Sequence, residues 1–335
     1  MAAILVIGSG IMGLWQAVTL AGAGHDVELI EKSAAPFTAA ASRLGGAMIS
    51  PYCEAESAEP VIAELGARSA ALWRAAYPEL KENGSLVVAP PRDMAELGRF
   101  ARLTSHFETL EAAGIAALEP VLEGRFTRAL YYPSEGHLEP RPALEALLRL
   151  AGTRGAKTTF SSAWDGTFPR RFDYTIDCRG MAARDSLPAL RGVRGEMLVI
   201  ETSEITLSRP VRLLHPRFPL YVVPWSDNRF MVGATMIESE DAGAATVRSA
   251  LDLLGHAYTL HPAFGEARIV SFGTGLRPAF PDNVPRAVAR GRHILVNGAY
   301  RHGYLLAPVL AEEVADYIAG ERKTEHVLLE DHGER

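Results

Sequence analysis

The opening of the chain constrains its fold more than any other stretch. In AAILVIGSGIMGLWQAVTLAGAGHDVELIEKS, an apolar run at 4–7 meets a glycine-rich turn, an apolar segment follows at 11–22, and a second apolar run occupies 27–30. Short run, helical-period segment and short run in that order predict a β-α-β unit. Gly8, Gly10 and Gly13 give GxGxxG at the strand-to-helix junction. The first glycine permits the tight turn, the second lets backbone approach a pyrophosphate, and the third allows the helix to pack closely on the strand. Ile11 and Met12 open the helix, whose positive end would meet the phosphate. Glu31 ends the second strand about 20 residues on, where a carboxylate can accept hydrogen bonds from a ribose diol. The plainer alternative is a glycine-rich turn with a surface acid. Strand, turn, helix, strand and acid in sequence favour an ADP-containing dinucleotide, and Glu31 followed by Lys32 leaves NAD and FAD both open.

A chain of 335 residues exceeds what one hydrophobic core usually takes, so two domains are expected. Hydrophobic residues at 48% and charged residues at 22% are ordinary globular usage. A net charge of −6, with the arginines scattered, offers no basic field for nucleic acid. Cys53 and Cys178 stand far apart without CxxC spacing, which encodes neither a disulfide framework nor a zinc knuckle and fits a reducing cytoplasm. AAILVIG lacks a basic leader and is read as a buried strand, and no later run reaches the roughly 18 apolar residues of a membrane span. No HExxH and no histidine–carboxylate cluster is present, so no metal site is expected.

Further along, 61–80 has helical spacing, with Trp73 and Tyr77 as core anchors, and 97–110 has it more weakly. GHLEPRPALEALLRLAG reads as a turn and an amphipathic helix ending near Gly152, and FDYTIDCRG as a strand stopped by glycine. From 193 the texture changes to GEMLVIET, LYVVPW and RFMVGATM, the short runs of an antiparallel sheet. HILVNGAY then gives a strand and RHGYLLAPVLAEEVADYIAG a helix entered through Gly303, a second strand-turn-helix aimed at a ligand. The closing ERKTEHVLLEDHGER is expected to be a solvated end.

Taken together, VIGSGIMG, GHLEP, GEMLVIE, YVVPWSDNRFMVGATM, GLRP and RHGYLLAP resemble the D-amino-acid-oxidase superfamily of flavoproteins, most of all the glycine oxidases of thiamin biosynthesis. The likeness covers nearly the whole chain and is weakest between about 85 and 135. It implies an α/β fold (α+β): a Rossmann-like FAD-binding domain from 1–85, 137–190 and 271–325, a discontinuous, mostly antiparallel substrate domain from 86–136 and 191–270, and a tail at 326–335. In ASRLGGAM it implies Ser42 and Arg43 toward phosphate and Ala47 and Met48 toward the flavin ring. In DCRG it implies backbone contact through Cys178, Arg179 and Gly180, with Cys178 a packed thiol. In RHGYLLAP, Arg301, His302, Gly303, Tyr304 and Leu305 would lie against the isoalloxazine, with backbone N–H groups around His302 and Tyr304 stabilising negative charge as flavin is reduced.

For the substrate, the resemblance implies Arg277 of GLRP as a carboxylate clamp, Tyr221 of LYVVP supporting the same carboxylate, Arg301 as a further arginine and Met236 as an apolar wall. A planar guanidinium suits that task because it binds carboxylate bidentately. Pro219 stands where relatives can offer a histidine, and HPRFP is expected to reshape the entrance. The implied activity is oxidation of glycine or a small or N-substituted amino acid to its imine and then an oxo acid such as glyoxylate, with dioxygen reduced to hydrogen peroxide and no protein base. A quinone- or dye-linked D-amino-acid dehydrogenase, a cytoplasmic NAD dehydrogenase and a non-catalytic flavoprotein subunit or binding module are the alternatives. A homo-oligomer is left open.

Overall fold

The computed structural model describes residues 1–215, 220–321 and 328–330. Two sheets organise the chain. The first runs Leu328–Glu330, Arg286–Arg290, His293–Asn297, Tyr174–Asp177, Ala3–Ile7, Asp26–Ile30, Lys157–Thr159. Its pairings are parallel except for the hairpin between Arg286–Arg290 and His293–Asn297. Ala3–Ile7 lies inside that sheet with Ile4 and Val6 fully buried, which is why it reads as an unbroken apolar run rather than an alternating one. Helix Ile11–Gly22 packs against helices Pro140–Thr153 and Gly303–Ile318, so nearly every side chain it carries is buried.

The second sheet runs Arg268–Ala279, Arg191–Glu201, Arg229–Gly233, Leu220–Pro224, Val211–Leu213, Ser85–Val88, Arg128–Tyr132, Glu108–Glu111. Only Val211–Leu213 beside Ser85–Val88 pairs in parallel. The expected boundaries at 85/86 and 270/271 fall inside Ser85–Val88 and Arg268–Ala279, two strands of this sheet. A ladder continues across a position where composition hardly changes, so no sequence signal marks the join.

Two sequence expectations are corrected. The weak helix over 97–110 is a helix at Met94–Leu103 followed by a strand at Glu108–Glu111, because Glu108–Glu111 completes the sheet by pairing with Arg128–Tyr132. The tail is not wholly a solvated end: Leu328–Glu330 adds in parallel to Arg286–Arg290. The remainder of 322–335 lies outside the described residues, as does the HPRFP segment at 216–219 with Pro219. Trp73 and Tyr77 are core residues, Trp73 meeting Trp15 edge-on at 5.0 Å between ring centroids. No helix among the described residues is long and apolar enough to cross a membrane.

Candidate active site

The glycine turn has a distinct steric reason at two of its glycines. Gly8 has φ +98°, and a Cβ there would sit 2.9 Å from the Cys178 carbonyl oxygen. A Cβ on Gly13 would sit 1.8 Å from the Gly8 carbonyl oxygen, so the helix can approach the turn only with glycine. Gly10 differs: the nearest atoms to a Cβ there are Ala40 Cβ and Ser42 Oγ, each at 3.9 Å. The protein itself makes no demand for glycine at that position. Gly10 caps the helix without a side-chain bond, the Ile11 N–H donates to Ser42 Oγ at 3.3 Å, and the N–H groups of Met12 and Gly13 have no partner among the described residues.

Glu31 is buried beside this turn. Its Oε2 accepts from the Ser9 N–H and the Ser9 hydroxyl, and its Oε1 from the Ser33 N–H, all at 2.9 Å. Burial pushes its pKa up, but the Ser9 and Ser33 donors outweigh burial and hold the carboxyl below its ordinary value. Lys32 and Arg43 are exposed. Across the turn, Cys178 is buried, with its thiol pushed up by burial, and serves as packing. The Arg179 side chain is taken up by Asp177 at 2.8 Å and Asp185 at 2.9 Å, so only its backbone faces the turn, and the Gly180 carbonyl accepts from Asn297.

The segment 41–48 runs beside strand Arg268–Ala279 and helix Pro140–Thr153. Ala47 is held at φ +49°, an uncommon conformation for a residue with a side chain. A Cβ on Gly45 would press on the Tyr304 ring at 3.1 Å, and one on Gly46 on the Tyr221 ring at 2.9 Å. Met48 pairs with His137 of GHLEP.

The third contribution comes from the last strand-turn-helix. Tyr300 sits at φ +49° before helix Gly303–Ile318, which His302 caps without a side-chain bond. The N–H of His302 donates to the Ala299 carbonyl at 2.7 Å, so this group is already committed, contrary to the expectation that it faces a ligand. The N–H groups of Gly303, Tyr304 and Leu305 have no partner among the described residues, since the first turn of a helix has none to offer. A Cβ on Gly303 would meet only Ile11 Cγ2, at 3.4 Å. The Tyr304 carbonyl accepts from Trp73 Nε1 and its hydroxyl donates to the Ser42 carbonyl, while the Leu305 side chain lies in the core against Gly66. Tyr304 and Leu305 thus have only backbone to offer.

The substrate candidates converge above this turn. Arg277 is half-buried, and its Nη1 donates to the Thr235 carbonyl at 3.0 Å. It has no carboxylate partner among the described residues, and burial pulls its pKa down, with Tyr221 and Tyr300 near enough to oppose that. Room for the guanidinium is made by Gly195 on the neighbouring strand, where a Cβ would lie 2.3 Å from Arg277 Cζ. The Tyr221 hydroxyl carries no hydrogen bond among the described residues. Met236 is 42% exposed, with its Sδ 3.4 Å from both the Tyr300 hydroxyl and Arg301 Nη1. Arg301 Nη2 lies 2.8 Å from Glu54 Oε2, and Arg212 Nη2 lies 2.6 Å from Glu54 Oε1.

Glu54, Arg212 and Tyr300 escaped the sequence reading. PYCEAESAEP looks like a polar loop, and only tertiary structure buries its first acid. Burial also pushes the His302 imidazole down to about 4, although Glu54 pulls the other way. No group of histidine, cysteine and acidic side chains that could hold a metal ion occurs among the described residues.

An FAD fits the residues present. The unpartnered N–H groups at two helix starts, the glycines at positions 10 and 303 that the protein's own packing does not require, and the fixed, ionised Glu31 are donors and an acceptor awaiting a dinucleotide.

Comparison with known proteins agrees. Residues 3–317 match the family model described as DAO, FAD dependent oxidoreductase. The chain is 53% identical over 313 residues to the "Putative thiamine biosynthesis oxidoreductase ThiO" of Rhizobium etli, covering 93% of this chain and 95% of that protein. It is 25% identical over 365 residues to the glycine oxidase of Geobacillus kaustophilus, covering 96% of this chain and 93% of that protein. The crystal structure of glycine oxidase from Geobacillus kaustophilus superposes with a TM-score of 0.80 at 22% identity, covering 97% of each chain.

Proposed function

Because the chain belongs to the DAO family of FAD-dependent oxidoreductases, and within it to the glycine oxidase type, we propose that its pocket oxidises glycine or a small or N-substituted amino acid. The observation that carries the substrate class is Arg277, a half-buried guanidinium with no carboxylate partner among the described residues. A desolvated cation held by carbonyl oxygens alone is a site for an anion, and its planar fork suits a carboxylate.

FAD, when bound, supplies the two-electron acceptor. The chain's own work is to bind and orient. The Met12 and Gly13 N–H groups and the Ser42 hydroxyl would hold phosphate oxygens, and Glu31 the ribose diol. The Gly303, Tyr304 and Leu305 N–H groups, at the positive end of a helix, would stabilise negative charge. Arg277 and Tyr221 would fix the substrate carboxylate while Met236 limits the space around the amine. With the carboxylate anchored, the neutral amine supplies its lone pair as the Cα–H bond breaks, which gives the imine without a side-chain base. His302, neutral near pH 7, adds no further positive charge. Water then hydrolyses the imine. For glycine the balance is glycine, dioxygen and water to glyoxylate, ammonia and hydrogen peroxide.

The test is anaerobic bleaching of the yellow holoprotein by glycine, sarcosine, larger N-substituted glycines and D-amino acids, followed by admission of air. Bleaching by small amino acids, with reoxidation by dioxygen and release of peroxide, is the expected result. Reoxidation by quinone or dye but not by dioxygen would identify a dehydrogenase. Bound FAD that no amine bleaches would identify a non-catalytic subunit and overturn the proposal.

A further inference from the structure

The pocket presents two guanidiniums in different states. Among the described residues Arg277 has only carbonyl oxygens for partners, at 3.0 Å and 3.5 Å. Arg301 spends one arm on Glu54 at 2.8 Å, while the other rests against the Met236 sulfur, a weak acceptor, at 3.4 Å and the Ser57 hydroxyl at 3.5 Å. Glu54 ends the short helix Pro51–Glu54, is buried, and bridges Arg301 to the buried Arg212. Burial pushes its carboxyl up, but the two arginines overcome that and keep it ionised throughout the working pH range.

We propose that Glu54 is a specificity-determining residue of this pocket: by engaging Arg301 it leaves Arg277, among the described residues, as the guanidinium open to a carboxylate, and so restricts the substrate to amino acids whose nitrogen substituent is uncharged. This rests on the amine-oxidising reading above. A second carboxylate on the nitrogen substituent, reaching toward Arg301, would meet a guanidinium already paired with Glu54, and would stand near that fixed negative charge, which Arg301 shares with Arg212. In a partly desolvated pocket that repulsion is screened far less than in water. With an uncharged group at position 54, Arg301 would instead become a second carboxylate clamp.

Two pairs of probes test this on the holoenzyme. Sarcosine and iminodiacetate differ by one carboxylate on the nitrogen substituent and report through kcat/KM. Methoxyacetate and oxydiacetate repeat that difference with an ether oxygen in place of the amine, cannot be oxidised to an imine, and report through equilibrium binding by calorimetry. In the wild type the monocarboxylate of each pair should be favoured by about tenfold or more; equal or reversed preference overturns the proposal. In Glu54→Gln, which keeps shape and removes charge, the dicarboxylate should gain about tenfold relative to its partner. Adding Arg301→Gln should abolish that gain. Unmoved ratios in Glu54→Gln with normal FAD content overturn the proposal as well. Should Glu54→Gln fail to fold, the wild-type preference decides. A wild type that no amine bleaches defeats the functional reading instead, while the ether pair still reports on Glu54.

Discussion

At the scale of the residue, the site turns on which charges are compensated. Arg277 is desolvated and has no carboxylate partner among the described residues, so replacing it should remove an interaction that solvent cannot restore. Arg277→Met is expected to retain FAD and to lose roughly 2 to 5 kcal/mol of transition-state stabilisation, measured as kcat/KM for glycine or sarcosine. Arg277→Lys should recover part of it, since a point charge imperfectly copies a planar fork. Amines of similar size without a carboxylate should hardly notice either change; equal losses for acids and amines would place Arg277 in the support of the fold. Glu31 sits at the other extreme, its charge held by the Ser9 and Ser33 donors. Glu31→Ala should weaken FAD retention by about 1.5 to 3 kcal/mol, read as the dissociation constant on reconstitution, with the order of substrate preference unchanged. An unaltered constant would remove Glu31 from the ribose.

At the scale of the element, glycines on strands and turns create the space the side chains use. Gly195 pairs across the sheet with Gly275, and a Cβ at Gly195 would occupy the place of the Arg277 guanidinium. Gly195→Ala should therefore raise KM for amino acids about tenfold while leaving the flavin spectrum intact, the displaced guanidinium losing its aim rather than its charge. Unchanged KM would show that Arg277 can reach its carboxylate by another rotamer. The Gly13 contact has no such escape, because the obstacle is the Gly8 carbonyl of the turn itself. Gly13→Ala should yield protein that holds little FAD and is destabilised by about 1 to 3 kcal/mol, observable as colourless protein with a lowered denaturation midpoint.

At the scale of the molecule, buried titratable groups tie folding to pH. His302 is packed against Glu54, Arg301 and Arg212, and His137 lies near Lys81 and Arg209; burial lowers both to about 4. An unfolded histidine near 6.5 takes a proton that the folded one refuses, so this contribution to stability is whole above about 6.5 and shrinks as pH falls toward 4. Each histidine should remove roughly 3 kcal/mol across that window. Buried Glu135, whose pKa burial raises, acts oppositely and favours the folded state at the acid end. Urea denaturation from pH 7 to pH 4 should show the net decline, and His137→Gln should flatten it; a slope equal to that of the wild type would remove His137 from the account.

Sequence and tertiary structure divided the work along physical lines. The β-α-β start, the helices at 60–76 and 140–153, the β-rich run after 193 and the closing strand-turn-helix were legible because local periodicity and glycine placement report backbone geometry directly. The strand at Glu108–Glu111 and the added strand at Leu328–Glu330 were not, since each exists through a partner distant in the chain. Among the candidate site residues, Arg277, Tyr221, Arg301 and Met236 could be named from motifs, but not their condition: nothing local tells that Arg277 has no carboxylate partner among the described residues while Arg301 is held by Glu54. A motif records which residue types stand in line, whereas charge compensation is a property of groups brought within about 4 Å by the fold. The sequence therefore determined the cofactor class and the backbone that receives it, and only the tertiary structure decided which of two arginines is left open to a substrate.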